Sequence, residues 1–186
     1  MKHASTRSLF AYWDALREER AAPDRADVQP GGMRHVLSDA FILSIEGRAT
    51  FRLAGSRMCT LFGRDLAGHD FPLLWRGREM TEADHLLQLV TRETSGLVLG
   101  LLGVNVNGSE LAMEMVLLPL RHHGRTDRRV LGALSPATIP SWAGLVPLTE
   151  LRMRTVRIIE ANIRADLAAS VSSKRNPLVL HEGGIA

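Results

Sequence analysis

The sequence predicts an α+β domain built from an early β-hairpin, a series of helices and a second, β-rich half. Residues 40–53 are apolar and partly β-branched on both sides of a glycine turn, which is typical of two paired strands. Residues 81–90 carry apolar side chains at helical spacing. Residues 96–120 flank the pair Asn107-Gly108, which is the strongest short-range signal for a hairpin.

Two helices are predicted between these hairpins. Residues 57–63 predict a short helical turn that ends at Gly63, because glycine readily closes a helix. The longer, central helix follows Thr81, which can cap it, and Glu82 and Asp84 favour its N-terminus.

The first segment of the chain predicts an amphipathic helix within residues 8–19. Its apolar stripe consists of Leu9, Tyr12, Trp13 and Leu16. Pro23 and Pro30 prevent the helix from continuing. The stripe has two interpretations: it covers the core of its own domain, or it docks on another molecule.

The chain after residue 139 also leaves two interpretations open. Glu150 and Arg154 are spaced for an ion pair on a helix, as are Glu160 and Arg164, whereas Leu151 and Met153 alternate as in a strand. Three segments therefore divide the chain. Residues 1–32 form an N-terminal helix and linker, residues 33–138 form a core whose fifth strand lies at 129–134, and residues 139–186 form an extension that ends in a mobile tail at 170–186.

The composition is that of an ordinary globular protein, with 45% hydrophobic and 23% charged residues in 186. Aromatic residues make up 5% and the net charge is +3, which argues against a stacking groove for single-stranded nucleic acid. The single cysteine excludes an internal disulfide and a multi-cysteine zinc site. No export signal is evident and no apolar run spans a bilayer. We therefore expect a cytoplasmic protein that binds neither nucleic acid nor membrane.

Four stretches of sequence resemble one known family. They are residues 9–13 (LFAYW), 51–57 (FRLAGSR), 61–68 (LFGRDLAG) and 117–120 (LLPL). Together with the order of strands and helices, they resemble PAS domains, in particular the stand-alone PAS proteins of alphaproteobacteria, over roughly residues 7–150. The resemblance implies a five-stranded antiparallel sheet with helices on one face, a cavity beneath those helices, and a role in signalling, often as a dimer.

The resemblance does not identify a cofactor, because PAS domains bind haem, flavin, small metabolites or nothing. Cys59 lies outside the sequence setting of a flavin-reactive cysteine and fits a small buried hydrophobe. His85, on the central helix, is the candidate haem ligand, although a solvated position explains it better. His122 and His123 are adjacent on a strand, which disfavours a shared metal. The cofactor therefore stays unknown and no metal is expected.

No motif in the sequence points to catalysis. It contains no nucleophile elbow, phosphate-binding loop or dinucleotide-binding glycine pattern, so we expect no enzymatic activity. A group of arginines offers either a basic docking surface or an ordinary solvated face; its members are Arg152, Arg154, Arg157 and Arg164.

The function expected from the sequence is that of a PAS regulatory or sensory module in signal transduction. It would bind a small molecule, an unidentified signalling protein, or both, and it would pair as a homodimer through Leu9, Tyr12, Trp13 and Leu16. The residues expected to line its cavity are Phe62, Phe71, Leu74, Trp75, Leu86, Leu89, Leu102, Met113 and Met115. The alternatives are a ligand-free interaction adaptor with a filled core and a haem-binding sensor.

Overall fold

The computed structural model describes residues 1–159, apart from the side chains of Thr126 and Asp127. Its helices are α1 (Ala4–Arg17), α2 (Ser56–Phe62) and α3 (Arg78–Arg92), with 3₁₀ turns at Arg25–Asp27, Pro30–Met33 and Phe71–Leu74. Its strands are β1 (Ala40–Glu46), β2 (Arg48–Ala54), β3 (Gly96–Asn105), β4 (Glu110–His122), β5 (Arg125–Pro136) and β6 (Leu148–Ile159). The strands form one antiparallel sheet in the order β2-β1-β5-β4-β3-β6.

The turns that join the paired strands follow from local sequence. Gly108 has a φ of 78° between β3 and β4, a conformation that favours glycine. The side-chain oxygen of Asn105 accepts hydrogen bonds from the backbone N–H groups of Asn107 and Ser109, at 2.9 Å each, which stabilises this turn. Gly47, with a φ of 84°, turns β1 into β2. Both predicted hairpins are therefore present.

The sheet has six strands, whereas the resemblance implied five. The additional strand is β6, which pairs with β3 along its whole length and lies within the segment we assigned to the extension. Leu151 and Met153 face the helical side of the sheet, as alternate residues of a strand do. Of the two interpretations of this segment, the strand is therefore correct, and the helix suggested by the spacing of Glu150 and Arg154 is wrong. The strand β5 is also longer than residues 129–134. The predicted pair Glu160 and Arg164 and the predicted tail lie outside the described residues.

Each face of the sheet is covered by different helices. The helical face packs against α2, the turn Phe71–Leu74 and α3, and it buries the larger apolar cluster. The outer face packs against α1, whose Leu9 and Trp13 are 0% and 2% exposed. Trp13 also donates a hydrogen bond from Nε1 to the backbone oxygen of Pro119 at 2.8 Å. The apolar stripe of α1 thus covers the core of its own domain.

The central helix α3 begins three residues earlier than Thr81, the residue we expected to cap it. Gly77, with a φ of 55°, precedes its first residue, and Glu79 supplies the acidic side chain of the first turn. The buried stripe of α3 includes Ala83, Leu87 and Val90. Residues 1–159 contain no helix that is long and apolar enough to cross a membrane.

A substitution at Gly132 would test how tightly β5 packs against β1. A methyl group at Gly132 would collide with the ring of Phe41, which is itself fully buried. We expect Gly132→Ala to lower the free energy of unfolding by about 1–3 kcal/mol in urea denaturation, because overpacking forces buried side chains from their preferred conformations. The control is Gly31→Ala, where nothing lies within 4 Å of the new methyl group. Equal stability of the two variants would show that the sheet yields at this point.

Candidate functional site

Aromatic rings fill the space between the sheet and its helical layer. The ring centroid of Phe71 lies 5.8 Å from that of Phe41, 5.6 Å from that of Phe51 and 5.0 Å from that of Trp75. All four side chains are buried. Tilted and edge-to-face contacts at these distances stabilise a core beyond the burial of apolar area. A large planar ligand in this space would therefore have to displace the rings.

One polar group of this core, the indole N–H of Trp75, has no partner. Its Nε1–H is buried and has no hydrogen-bond acceptor among the described residues. An unpaired buried donor costs about 1–3 kcal/mol, which a water molecule or a ligand oxygen would relieve. Trp75 is consequently the interior side chain best suited to hydrogen-bond a small ligand.

A cleft of about 450 Å³ opens beside this core, between α3 and the turn that joins β1 to β2. This volume lies in the range typical of small-molecule sites, about 300–1000 Å³. Two apolar side chains at the cleft, Leu73 and Met80, are 54% and 38% exposed. The polar lining consists of Arg48, Asp70, Asp84 and Gln88. The cleft therefore suits a small molecule with both polar and apolar groups.

Asp39 connects the helical layer to α1 on the opposite face of the sheet. Its carboxylate, which is fully buried, accepts hydrogen bonds from Arg57 Nη1 at 2.6 and 2.8 Å. It also accepts from Ser5 Oγ of α1 at 2.7 Å and from Ser135 Oγ of β5 at 3.1 Å. A buried carboxylate is stable only when it is paired and hydrogen-bonded. The charge of Asp39 therefore requires contacts from α1, α2 and β5 at the same time.

Glu114 of β4 is the second anchor of α1. Its carboxylate accepts hydrogen bonds from the backbone N–H groups of Lys2 and His3 and from Thr6 Oγ1, and Arg157 lies 3.7 Å away. Burial raises the pKa of Glu114, but the hydrogen bonds from Thr6, His3 and Lys2 outweigh it and hold the pKa below its usual value. The negative charge also suits the N-terminal end of a helix.

Sequence reasoning did not find either anchor. Asp39 and its partner Ser5 are 34 positions apart, and Glu114 and Thr6 are 108 positions apart. The only local signal is Glu114 itself, a carboxylate between Met113 and Met115 in an otherwise apolar strand. Such a charge on a covered sheet face needs a partner from the covering element.

A family model described as PAS domain matches residues 1–135. The chain belongs to the PAS domain family. No curated protein matches its sequence. The sheet, with α2 and α3 packed on one face, is the PAS fold. The helix α1 lies within the matched residues, whereas β6 lies beyond them.

Solved structures similar to this PAS domain include a LOV protein, another PAS domain and a light-activated histidine kinase. The LOV protein of Rhodobacter sphaeroides is 14% identical over 76% of this chain and 71% of that chain, with a TM-score of 0.46. The PAS domain of an HTR-like protein from Haloarcula marismortui is 16% identical over 57% and 89%, with a TM-score of 0.42. The blue-light activated histidine kinase EL346 of Erythrobacter litoralis is 11% identical over 73% and 39%, with a TM-score of 0.44. The family assignment rests on the match over residues 1–135.

Most residues expected to line the PAS cavity lie on the helical face of the sheet. Leu86 packs against the core there, and Leu89 is half-buried on α3. Leu102 instead lies on the outer face, because Leu101 of the same strand faces the helices. The buried members of the set are Phe62, Phe71, Leu74, Trp75, Met113 and Met115. They all belong to the larger apolar cluster, which does not include Leu102.

The residues expected to pair two copies of the PAS domain differ in exposure. Leu9 and Trp13 are buried against the sheet of their own chain. Tyr12 and Leu16 are half-buried, and the hydroxyl of Tyr12 accepts a hydrogen bond from the backbone N–H of Gln29 at 2.9 Å. Of these four residues, Tyr12 and Leu16 therefore retain surface that a second copy could contact.

Among the residues considered for a cofactor, His85 lies at the surface, whereas Cys59 packs against the larger apolar cluster. His85 is exposed on α3, so its present position does not supply an axial haem ligand to the core. Cys59 is half-buried, with Sγ 3.9 Å from both the backbone oxygen of Ala54 and Oδ1 of Asp65. The rings of His122 and His123 are 4.1 Å apart. Among the side chains that the structure describes, no group of three His, Cys, Asp or Glu could hold a metal ion.

The arginines of the predicted group differ in their surroundings: some form ion pairs and one is exposed. Arg152 pairs with Glu150 at 2.8 Å and with Glu110 at 3.8 Å. Arg157 lies near Glu114, and Arg154 is exposed at the bulge of β6. Arg164 lies outside the described residues. Among the described members, Arg154 is therefore the side chain best placed to contact a partner.

The lowered pKa of Glu114 predicts a pH-dependent contribution to stability. Because the pKa of the folded state lies below the ordinary value of 4.5, the contribution is fully present above about pH 4.5 and is lost as the pH falls through the folded value. We expect the difference in unfolding free energy between the wild type and Glu114→Gln to shrink below pH 4.5, measured by urea denaturation.

Other carboxylates, such as Glu46, also titrate in this range, and the comparison of the two proteins cancels their effect. A difference that stays constant from pH 7 to pH 3 would show that the charge of Glu114 does not hold α1.

Proposed function

We propose that this PAS domain is a regulatory module in signal transduction that acts by binding rather than by catalysis. Its input is a small molecule or a protein that contacts the helical layer, and its output is a change in the docking of α1. The observation that carries this proposal is the set of hydrogen bonds around Asp39, which joins the two layers across the sheet.

The geometry of this network explains how a change in one layer would reach the other. Arg57 belongs to α2 and Ser5 belongs to α1, and each donates to the same buried carboxylate. If α2 moves and withdraws Arg57, the carboxylate of Asp39 loses its only ion-pair partner among the described residues. The remaining hydrogen bonds from Ser5 and Ser135 then cannot compensate a buried charge, so the packing around α1 must change.

The proposed site for a small-molecule input is the cleft beside α3. A ligand there would contact α3 and the turn Phe71–Leu74, which belong to the layer that also contains α2. The filled aromatic core favours a ligand smaller than haem or flavin. The same core supports the second candidate, a ligand-free adaptor that binds only proteins.

We expect Arg57→Gln to increase amide hydrogen exchange in α1, although Arg57 lies on α2. The glutamine keeps one donor for Asp39 but removes the charge, which weakens a buried interaction shared with Ser5. Mass spectrometry of the intact domain should show about tenfold faster exchange in residues 4–17, because 1.4 kcal/mol of lost protection changes exchange tenfold. Exchange in α3 should change little.

The matched control is Arg78→Gln, which removes the exposed ion pair with Glu82 at 2.9 Å. This variant should leave exchange in α1 unaltered. If Arg57→Gln accelerates exchange equally in every element, Arg57 stabilises the whole fold and the proposed coupling to α1 is wrong.

A further inference from the structure

A second cleft, of about 390 Å³, lies on the outer face of the sheet and carries a concentration of positive charge. Its lining includes three arginines, Arg25, Arg52 and Arg129, together with His122. Its apolar lining consists of Ile42 and Leu53, which are paired across β1 and β2. This cleft is separate from the cleft beside α3 and goes beyond the proposed function.

A β-bulge brings Arg52 into this cleft. Ile42 pairs with Leu53 and Leu43 pairs with Phe51, so Arg52 is the extra residue of β2. A bulge redirects side chains from the regular alternation of a strand, and here Arg52 and Leu53 both line the cleft. Arg52 is exposed and forms no ion pair with any described side chain. Its guanidinium is consequently available to a ligand.

Arg129 is held rigidly at the opposite wall. It is 8% exposed, and its Nη1 donates to Ser44 Oγ at 2.7 Å, to Glu46 Oε1 at 3.0 Å and to the backbone oxygen of Arg128 at 2.8 Å. No hydrogen bond to a described residue uses its Nε or Nη2. An arginine fork that is fixed in this way loses little entropy when it binds a planar or tetrahedral anion.

The charges around the cleft are unbalanced among the described side chains. Glu46 is the carboxylate that pairs with Arg129, whereas Asp24 and Asp27 each pair with Arg20 at 3.2 Å. The hydrogen bond and charge of Arg129, with Arg128 and Arg52, lower the pKa of Glu46. Burial, together with His123, Arg129 and Arg128, lowers the pKa of His122, against the opposing effect of Glu46. The arginine contributions to both shifts act in the direction that a positive local potential produces.

We propose that this cleft binds a small phosphate ester, with the guanidinium groups of Arg25, Arg52 and Arg129 around the phosphate and the rest of the molecule against Ile42 and Leu53. Bidentate hydrogen bonds from arginine suit phosphate oxygens, and the paired apolar side chains suit a planar or apolar group. A nucleoside monophosphate has this combination of groups. The cleft volume lies within the range of small-ligand sites.

Isothermal titration calorimetry with adenosine 5′-monophosphate, adenosine and inorganic phosphate tests this proposal. The wild type should bind the monophosphate, bind inorganic phosphate more weakly, and give no heat with adenosine. Arg52→Gln should weaken monophosphate binding about tenfold, the effect of losing one charge-assisted hydrogen bond. Arg129 is left intact because it links β5 to β1.

The matched control is Arg64→Gln, since Arg64 is also exposed but follows α2 on the helical side. Circular dichroism should show that both variants keep the fold. Equal weakening by Arg52→Gln and Arg64→Gln would reveal a general charge effect and overturn the site. Absence of heat with both phosphate compounds at millimolar concentration would also overturn it, as would binding only to phosphatidylglycerol vesicles and not to the monophosphate.

Discussion

Asp39 lies fully buried between the two layers that cover the sheet, and a carboxylate in that position is stable only with partners. Its partners come from three elements: Ser5 of α1, Arg57 of α2 and Ser135 of β5. None of these elements can shift without leaving the charge of Asp39 less well compensated. The shared carboxylate therefore links the docking of α1 to the position of α2, which is the link that the proposed regulatory role requires.

Further contacts hold α1 on one face of the sheet and the helical layer on the other. Glu114 anchors the first residues of α1, and Trp13 anchors its middle through the backbone oxygen of Pro119. On the helical side, the aromatic rings around Phe71 form a rigid core. A small ligand beside α3 would act on a well-packed layer rather than on a loose one. Packed layers respond to ligands by changing between discrete arrangements, which suits a module that transmits a signal.

The sequence was sufficient for features that depend on neighbouring residues. The hairpin at Asn107-Gly108 was predicted because its turn chemistry is local. Leu102 was assigned to the wrong face because alternation gives two faces but does not say which one the helices cover. The anchor Asp39 was missed because its partners are distant in sequence, and Arg52 was missed because a bulge depends on the pairing of two strands. Local patterns thus predicted the fold, whereas the polar groups of the candidate sites depend on tertiary contacts.

The most direct test of the account is a double-mutant cycle between Ser5→Ala and Arg57→Gln, measured as unfolding free energy in urea. The two side chains lie on opposite faces of the sheet and are joined through the carboxylate of Asp39. The account predicts that their effects are not additive and differ from the sum by about 0.5–3 kcal/mol, as for members of one hydrogen-bond network. Additive effects, within about 0.3 kcal/mol, would contradict it, because α1 and α2 would then be stabilised independently.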